Sequence, residues 1–202
     1  MDPLVYDLLI NPEPGGQEIL KHRGYLMRIT VSGLPGSGTT SLARYLSEKH
    51  NFGLVSAGEV FRQMAQEHGM DLAEFGKFAE KNQEIDRMID ARQKEIALVR
   101  DDIIVEGRLS GWFVEQADLK IWLAAPLECR VERILSRDTI ENLEKAKRLT
   151  EEREMSEALR YRMYYGIDIR DLSLYHIVLN TERWSVEELG ALVDMAISFT
   201  KK

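Results

Sequence analysis

The chain has 202 residues, 44% of them apolar and 30% charged, with 27 basic and 34 acidic side chains and a net charge of −7. That length suits one domain with an ordinary buried core, and the acidic balance argues against a long nucleic-acid partner held by phosphate neutralisation. Cys129 is alone, so no internal disulfide forms and a reducing cytoplasm is expected. The four histidines, His22, His50, His68 and His176, are scattered, with no zinc-site spacing.

Residues 1–26 lack a basic start and a long apolar run, so they read as neither signal peptide nor membrane span. Pro12, Pro14, Gly15 and Gly16 interrupt them. They are read as a poorly ordered, loosely attached extension, or as residues upstream of a natural start at Met27. The domain proper is expected over 27–202.

"MRITVSG" alternates and is β-branched, which predicts a strand. "GLPGSGTT" follows, then "TSLARYLSEKH" with Leu42, Ala43 and Leu46 at helical spacing. Further on, "GLVS" reads as a strand, and helices are expected over 59–67, 70–82 and 83–100. "DDIIVEG" and "ADLKIWLAA" are apolar runs that suit buried parallel strands. Helices near 127–137 and about 140–165 precede a last strand, "YHIVLN". The last helix is capped by Ser185 with Glu188 three residues on. Strands alternating with helices predict an α/β fold with a parallel sheet covered on both faces, with ligands at the carboxyl ends of the strands.

Strand, glycine-rich turn and helix in that order make Gly33–Thr40 a phosphate-binding loop. Gly33, Leu34, Pro35, Gly36, Ser37, Gly38, Thr39, Thr40 and Ser41 are the expected ATP-binding stretch, with Thr40 as Mg²⁺ ligand. The general pattern G-x-x-x-x-G-K-[ST] has lysine where this chain has Thr39. An attraction between unit charges at about 4 Å is worth roughly 4 kcal/mol at an effective dielectric of about 20. Losing it would cost on the order of a thousandfold in rate, so activity is low or an arginine takes over. Arg108 follows the strand that ends near Glu106, Arg133 and Arg137 share one helix face, and Arg153, Glu157 and Arg160 share another. Ser56, Gly58 and Arg62 form a possible second anion site. Asp86, Asp90 and Gln93 lie on one face of a predicted helix, where a carboxylate can accept from the exocyclic amine of cytosine. Singly, each of these charges also reads as a solvated helix face.

"SGLPGSGTT", "VSAGEVFR", "VEGRLSGW", "LKIWLAAPLECRVERI" and "REMSEALRYRMYYGIDIRDLS" together resemble the archaeal branch of the cytidylate kinases, from Met27 to about Ser198. The resemblance implies a P-loop NTPase fold: three α/β/α layers, a five-stranded parallel sheet, a helical nucleoside-monophosphate-binding insertion over about 56–99 and a lid over about 138–165. In that branch the loop often carries threonine for lysine. Gly107-Arg108 matches the family's G-R pair, and Arg153, Glu157 and Arg160 match its R-x3-D-x2-R helix with glutamate for aspartate. Leu109 stands where bacterial members have an acid after that pair.

The implied reaction is phosphoryl transfer from ATP to CMP or dCMP, with Mg²⁺ as cofactor. The implied catalytic arginines are Arg108, Arg133, Arg137, Arg153 and Arg160, at least one of which stands in for the lysine. The implied acceptor residues are Ser56, Gly58, Arg62, Asp86, Asp90, Gln93, Gly107, Arg108 and Glu157. The expected partners are these nucleotides alone, with no nucleic-acid polymer and no membrane, for a monomer in the cytoplasm. Other readings from the residues are adenylate, uridylate, thymidylate or shikimate kinase, or a nucleotide-binding switch without transfer.

Overall fold

The computed structural model describes residues 27–99, 102–138 and 140–200, without the side chains of 83, 92, 93 and 96–99. The expected extension over 1–26 lies outside them. Five strands form one parallel sheet: β1 (Arg28–Gly33), β2 (Gly53–Ser56), β3 (Ile103–Glu106), β4 (Leu119–Ala124) and β5 (Ile177–Asn180), in spatial order β2-β3-β1-β4-β5. The helices are α1 (Thr39–His50), α2 (Ala57–Glu67), α3 (Leu72–Glu80), α4 (Gln83–Val99), α5 (Ser110–Phe113), α6 (Leu127–Arg137), α7 (Leu143–Tyr165) and α8 (Val186–Thr200).

The expected doubly covered sheet is present. β1 is buried from Ile29 to Gly33 because both of its faces are packed. Ile29, Val31, Ile121 and Leu123 meet Leu42 and Leu46 of α1 and Val193 and Ile197 of α8. On the opposite face Trp122 packs with Leu109, Ile169, Tyr175 and Tyr161 of α7. Helices α2–α4 have their own small core around Phe75, Ala79, Ile85 and Ile89.

Boundaries follow local chemistry. Asp71 caps α3 in a capping box with Glu74, Asn142 caps α7, and Ser185 and Glu188 exchange hydrogen bonds at the start of α8. Ser56 accepts from the Glu59 N–H, so α2 starts at Ala57, two residues before the expected Glu59. β5 begins at Ile177 because Tyr175 is in a turn, its N–H donating to Leu172. The single turn α5, which the sequence reading did not contain, hangs on Ser110, whose Oγ lies 2.8 Å from the Ser32 hydroxyl. No described helix is long and apolar enough to cross a membrane.

The registers Val31↔Glu106, Ser56↔Glu106 and Gly33↔Leu123 bring the strand ends to one edge. Loop Gly33–Thr40, Gly107-Arg108, Ala125 and Thr181 all leave the sheet there.

Candidate functional site: an arginine-lined cleft over the glycine loop

Gly36 and Gly38 have φ of +81° and +91°, the left-handed region that glycine enters without strain. A Cβ at Gly36 would stand 2.6 Å from the Arg130 carbonyl oxygen, so the loop backbone is seated directly on α6. Gly38 caps α1 without a side-chain bond, leaving the first N–H groups of that helix for an anion. Two arginines hold the loop from behind. Arg130 donates to the carbonyls of Pro35 (3.1 Å) and Ala125 (3.0 Å) and is ion-paired with Glu154. Arg133 donates to Thr181 Oγ1 (2.9 Å) and O (2.6 Å), and the Thr181 hydroxyl donates to Ser37 O at 2.9 Å.

Thr39, in the lysine's place, is buried. Its hydroxyl donates to Glu106 Oε1 at 2.6 Å, and the Ser56 hydroxyl donates to the other carboxylate oxygen. Glu106, 1% exposed, thereby ties the loop, β3 and the start of α2 together. The sequence reading did not single it out. The one available signal was an acid closing the apolar run "IIVE".

Above the loop lies a cleft of about 690 Å³. Six arginines line it: Arg44, Arg62, Arg108, Arg133, Arg137 and Arg153, against the acids Glu106 and Asp138. Thr40 and Ser41 also line it, as do Thr181 and Trp184, which sequence reasoning did not single out. Glu157 is wedged between two of these arginines. Arg108 Nε donates to it at 2.9 Å and Arg153 Nε at 2.8 Å. Each uses only its Nε for this, so the paired Nη groups stay available to a ligand. Burial disfavours the Glu157 charge, but Arg108 and Arg153 outweigh it and hold the carboxyl at about 2. For Arg108 burial likewise opposes the charge, and Glu157 leaves its pKa raised. Arg137 is held by Asp138 through bonds of 2.8 and 2.7 Å. Arg62 donates no hydrogen bond to another described residue, and burial followed by repulsion from Arg137 lowers its pKa.

Of the five arginines expected around the phosphates, Arg108, Arg133, Arg137 and Arg153 line this cleft, and Arg160 does not. It is 3% exposed and donates to Asp86 (2.7 Å) and to Ser156 (2.6 Å). The buried carboxylate of α4 has captured it. Beside that pair is a smaller cavity of about 50 Å³ reached by Gly58, Phe61, Asp86, Asp90, Gly107 and Tyr161. Asp90 accepts from the Tyr165 hydroxyl. The Gln93 side chain lies outside the described residues.

Among the described residues no group of three His, Cys, Asp or Glu could hold a metal. Mg²⁺ on a nucleotide needs no such cage, since phosphates and waters supply most ligands. Thr40, whose hydroxyl is an oxygen ligand at the end of the loop, lines the cleft and fits that requirement.

Residues 28–183 match the cytidylate kinase-like family. The cytidylate kinase of Methanoregula boonei is 65% identical over 176 residues, covering 87% of this chain and 97% of that protein. That of Methanosphaerula palustris is 67% identical over 172 residues, 85% of this chain and 98% of that one. That of Pyrococcus abyssi is 52% identical over 169 residues, 84% and 92% respectively. Among solved structures, a shikimate kinase from Bacteroides thetaiotaomicron aligns with a TM-score of 0.61 at 12% identity, over 86% of this chain and 99% of that one. A second, from Acinetobacter baumannii, gives 0.59 at 15%, over 88% and 96%. At those identities the two structures speak for the P-loop kinase fold alone. The curated relatives agree with this chain at more than half of the aligned positions and over nearly their whole lengths, and on that ground the chain belongs to the cytidylate kinase-like family.

Proposed function

We propose that the chain transfers the γ-phosphoryl group of ATP to CMP or dCMP, giving ADP and CDP or dCDP. The observation that carries this reading is the cleft: six arginines around a glycine loop, on a protein whose net charge is −7. Such a concentration of cation suits two phosphorylated ligands facing each other.

The attacking atom is a phosphate oxygen of CMP, already anionic near neutral pH, so no general base is required. Catalysis is then positioning and neutralisation of charge on the moving group. The loop N–H groups and the start of α1 receive the ATP phosphates. Arg62 and Arg108 receive the phosphate of the acceptor. The Nη groups of Arg153, oriented by Glu157, and Arg137 complete the cationic wall, taking the role that a lysine at position 39 would have had. Arg133 holds the loop against Thr181 and presents its charge above Gly38. Mg²⁺, held through Thr40 and the ATP phosphates, would supply further charge neutralisation. Asp86 and Asp90, which line the small cavity beside Arg108, support a base-reading role there.

The test is product detection from ATP with CMP, dCMP, UMP and AMP offered separately. CDP or dCDP formation well above the other products is expected. ATP binding with no acceptor-dependent ADP release would instead favour a nucleotide switch and would sink the kinase reading.

A further inference from the structure

We propose that Asp90 distinguishes cytosine from uracil at the acceptor site, and that it does so only while ionised, so that selectivity for CMP over UMP is gained as pH rises. This rests on the cytidylate kinase reading above.

The two acids of α4 that reach the small cavity have different commitments. Asp86 faces Arg160 at 2.7 Å, and Arg160 is further fixed by Ser156. Asp86 is therefore a positioning residue for that guanidinium. Among the described residues Asp90 accepts a single bond, from the Tyr165 hydroxyl. An ionised carboxylate offers about four lone-pair sites, so acceptor capacity remains on the cavity side.

Cytosine and uracil differ at position 4, an amine donor in one and a carbonyl acceptor in the other, and in the hydrogen on N3. A carboxylate can only accept, so it receives the amine and repels the carbonyl. A neutral carboxyl can donate to the carbonyl or accept from the amine, so it tells the two apart poorly.

The surroundings place this change within the working range. Burial drives the Asp90 carboxyl up to about 7, with Asp86 on the same helix adding to it. The bond from Tyr165 and the charge of Arg160, both on α7, work in the other direction. Arg153, Glu157 and Tyr161 of α7 and Arg108 after β3 line the same cavity, and α2 contributes the uncharged Ala57, Gly58 and Phe61. Arg87, on α4, acts through its charge on Tyr165.

The experiment measures kcat/KM for CMP and for UMP at fixed ATP across roughly pH 5.5 to 8.5, with UMP inhibition of CMP turnover where UMP is too slow. The acceptor phosphate titrates near about 6 in both nucleotides, so its effect cancels in the CMP/UMP ratio. Because kcat/KM reports groups of the free enzyme, the midpoint is that of the unliganded site. The ratio is expected to rise on the order of tenfold or more between about pH 6 and 8. Asp90→Asn, whose amide can both donate and accept, should lower the ratio and make it independent of pH. Tyr165→Phe keeps the acid but removes a bond to its charged form, so the step should persist with its midpoint moved upward.

A ratio that is flat with pH in the parent protein overturns the proposal. So does a step that survives Asp90→Asn, or one whose midpoint Tyr165→Phe leaves in place or lowers. Absence of CDP under every condition would overturn the kinase reading itself, whereas CDP formed with pH-independent selectivity overturns only the role of Asp90.

Discussion

A guanidinium can serve a ligand only with N–H groups that the protein has not already taken. Arg62 lines the large cleft and donates to no other described residue, whereas Arg160 is spent on Asp86 and Ser156. Their alanine variants should therefore fail differently. Arg62→Ala is expected to lower kcat/KM for CMP by about a hundred- to a thousandfold, as for other lost charge-stabilising donors, with little change in Tm. Arg160→Ala leaves a carboxylate buried without its partner and should cost about 3–5 kcal/mol of stability, read from the denaturant midpoint. Equal losses of stability in the two variants would contradict this division. From the sequence Arg153, which lines the cleft, and Arg160 were indistinguishable. Arg160 sits at i+7 from Arg153, on the same helix face, and only the arrival of α4 separates their roles.

At the scale of elements, the donor loop and the acceptor helix are joined through one buried carboxylate. Glu106, at the end of β3, receives the hydroxyls of Thr39 at the start of α1 and of Ser56 at the cap of α2. Glu106→Ala would strand both buried hydroxyls. The expected loss is about 2–4 kcal/mol, together with a fall in kcat as Thr39 and the loop loosen, checked by urea unfolding and steady-state turnover. Glu106→Gln, which keeps one acceptor oxygen and a polar group for the second hydroxyl, should be the milder change. Thr39 thus has a structural reason to be threonine: the space beside it belongs to a carboxylate that already bridges three elements. The position of α7 also separates its two halves. Tyr161 is packed under the sheet with Trp122 and Leu109, while Leu143 at the other end is exposed. We infer that closure over the ligands, expected of a lid over about 138–165, involves the first turns of α7.

For the whole molecule, two carboxyl groups pull the pH dependence of stability in opposite directions. Glu157 is held at about 2, below its ordinary 4.5, so its stabilisation is present above 4.5 and lost as pH falls towards 2. Asp90 is raised from 3.8 to about 7, so folding favours its protonated form, and the stability this gives is lost as pH rises through 7. Thermal unfolding followed from about pH 2 to 8 should show both limbs. Glu157→Gln should flatten the acid limb, and Asp90→Asn should stabilise the protein at pH 8 by on the order of 2 kcal/mol.

The glycine loop, the five strands, the Ser185 cap of α8 and the candidate arginines were legible in the chain itself. Periodicity, turn residues and caps act between neighbours a few positions apart, and local spacing encodes them directly. The short turn α5 and the roles of Glu106, Arg130 and Thr181 were not legible. Nor was the division of the charged residues into those that face the ligands and those that hold the fold. Thr39 meets Glu106 across 67 positions and Asp86 meets Arg160 across 74. Pairings of that length arise only when the sheet order brings the strand ends to one edge, so the tertiary structure alone decided which charges remained free for chemistry.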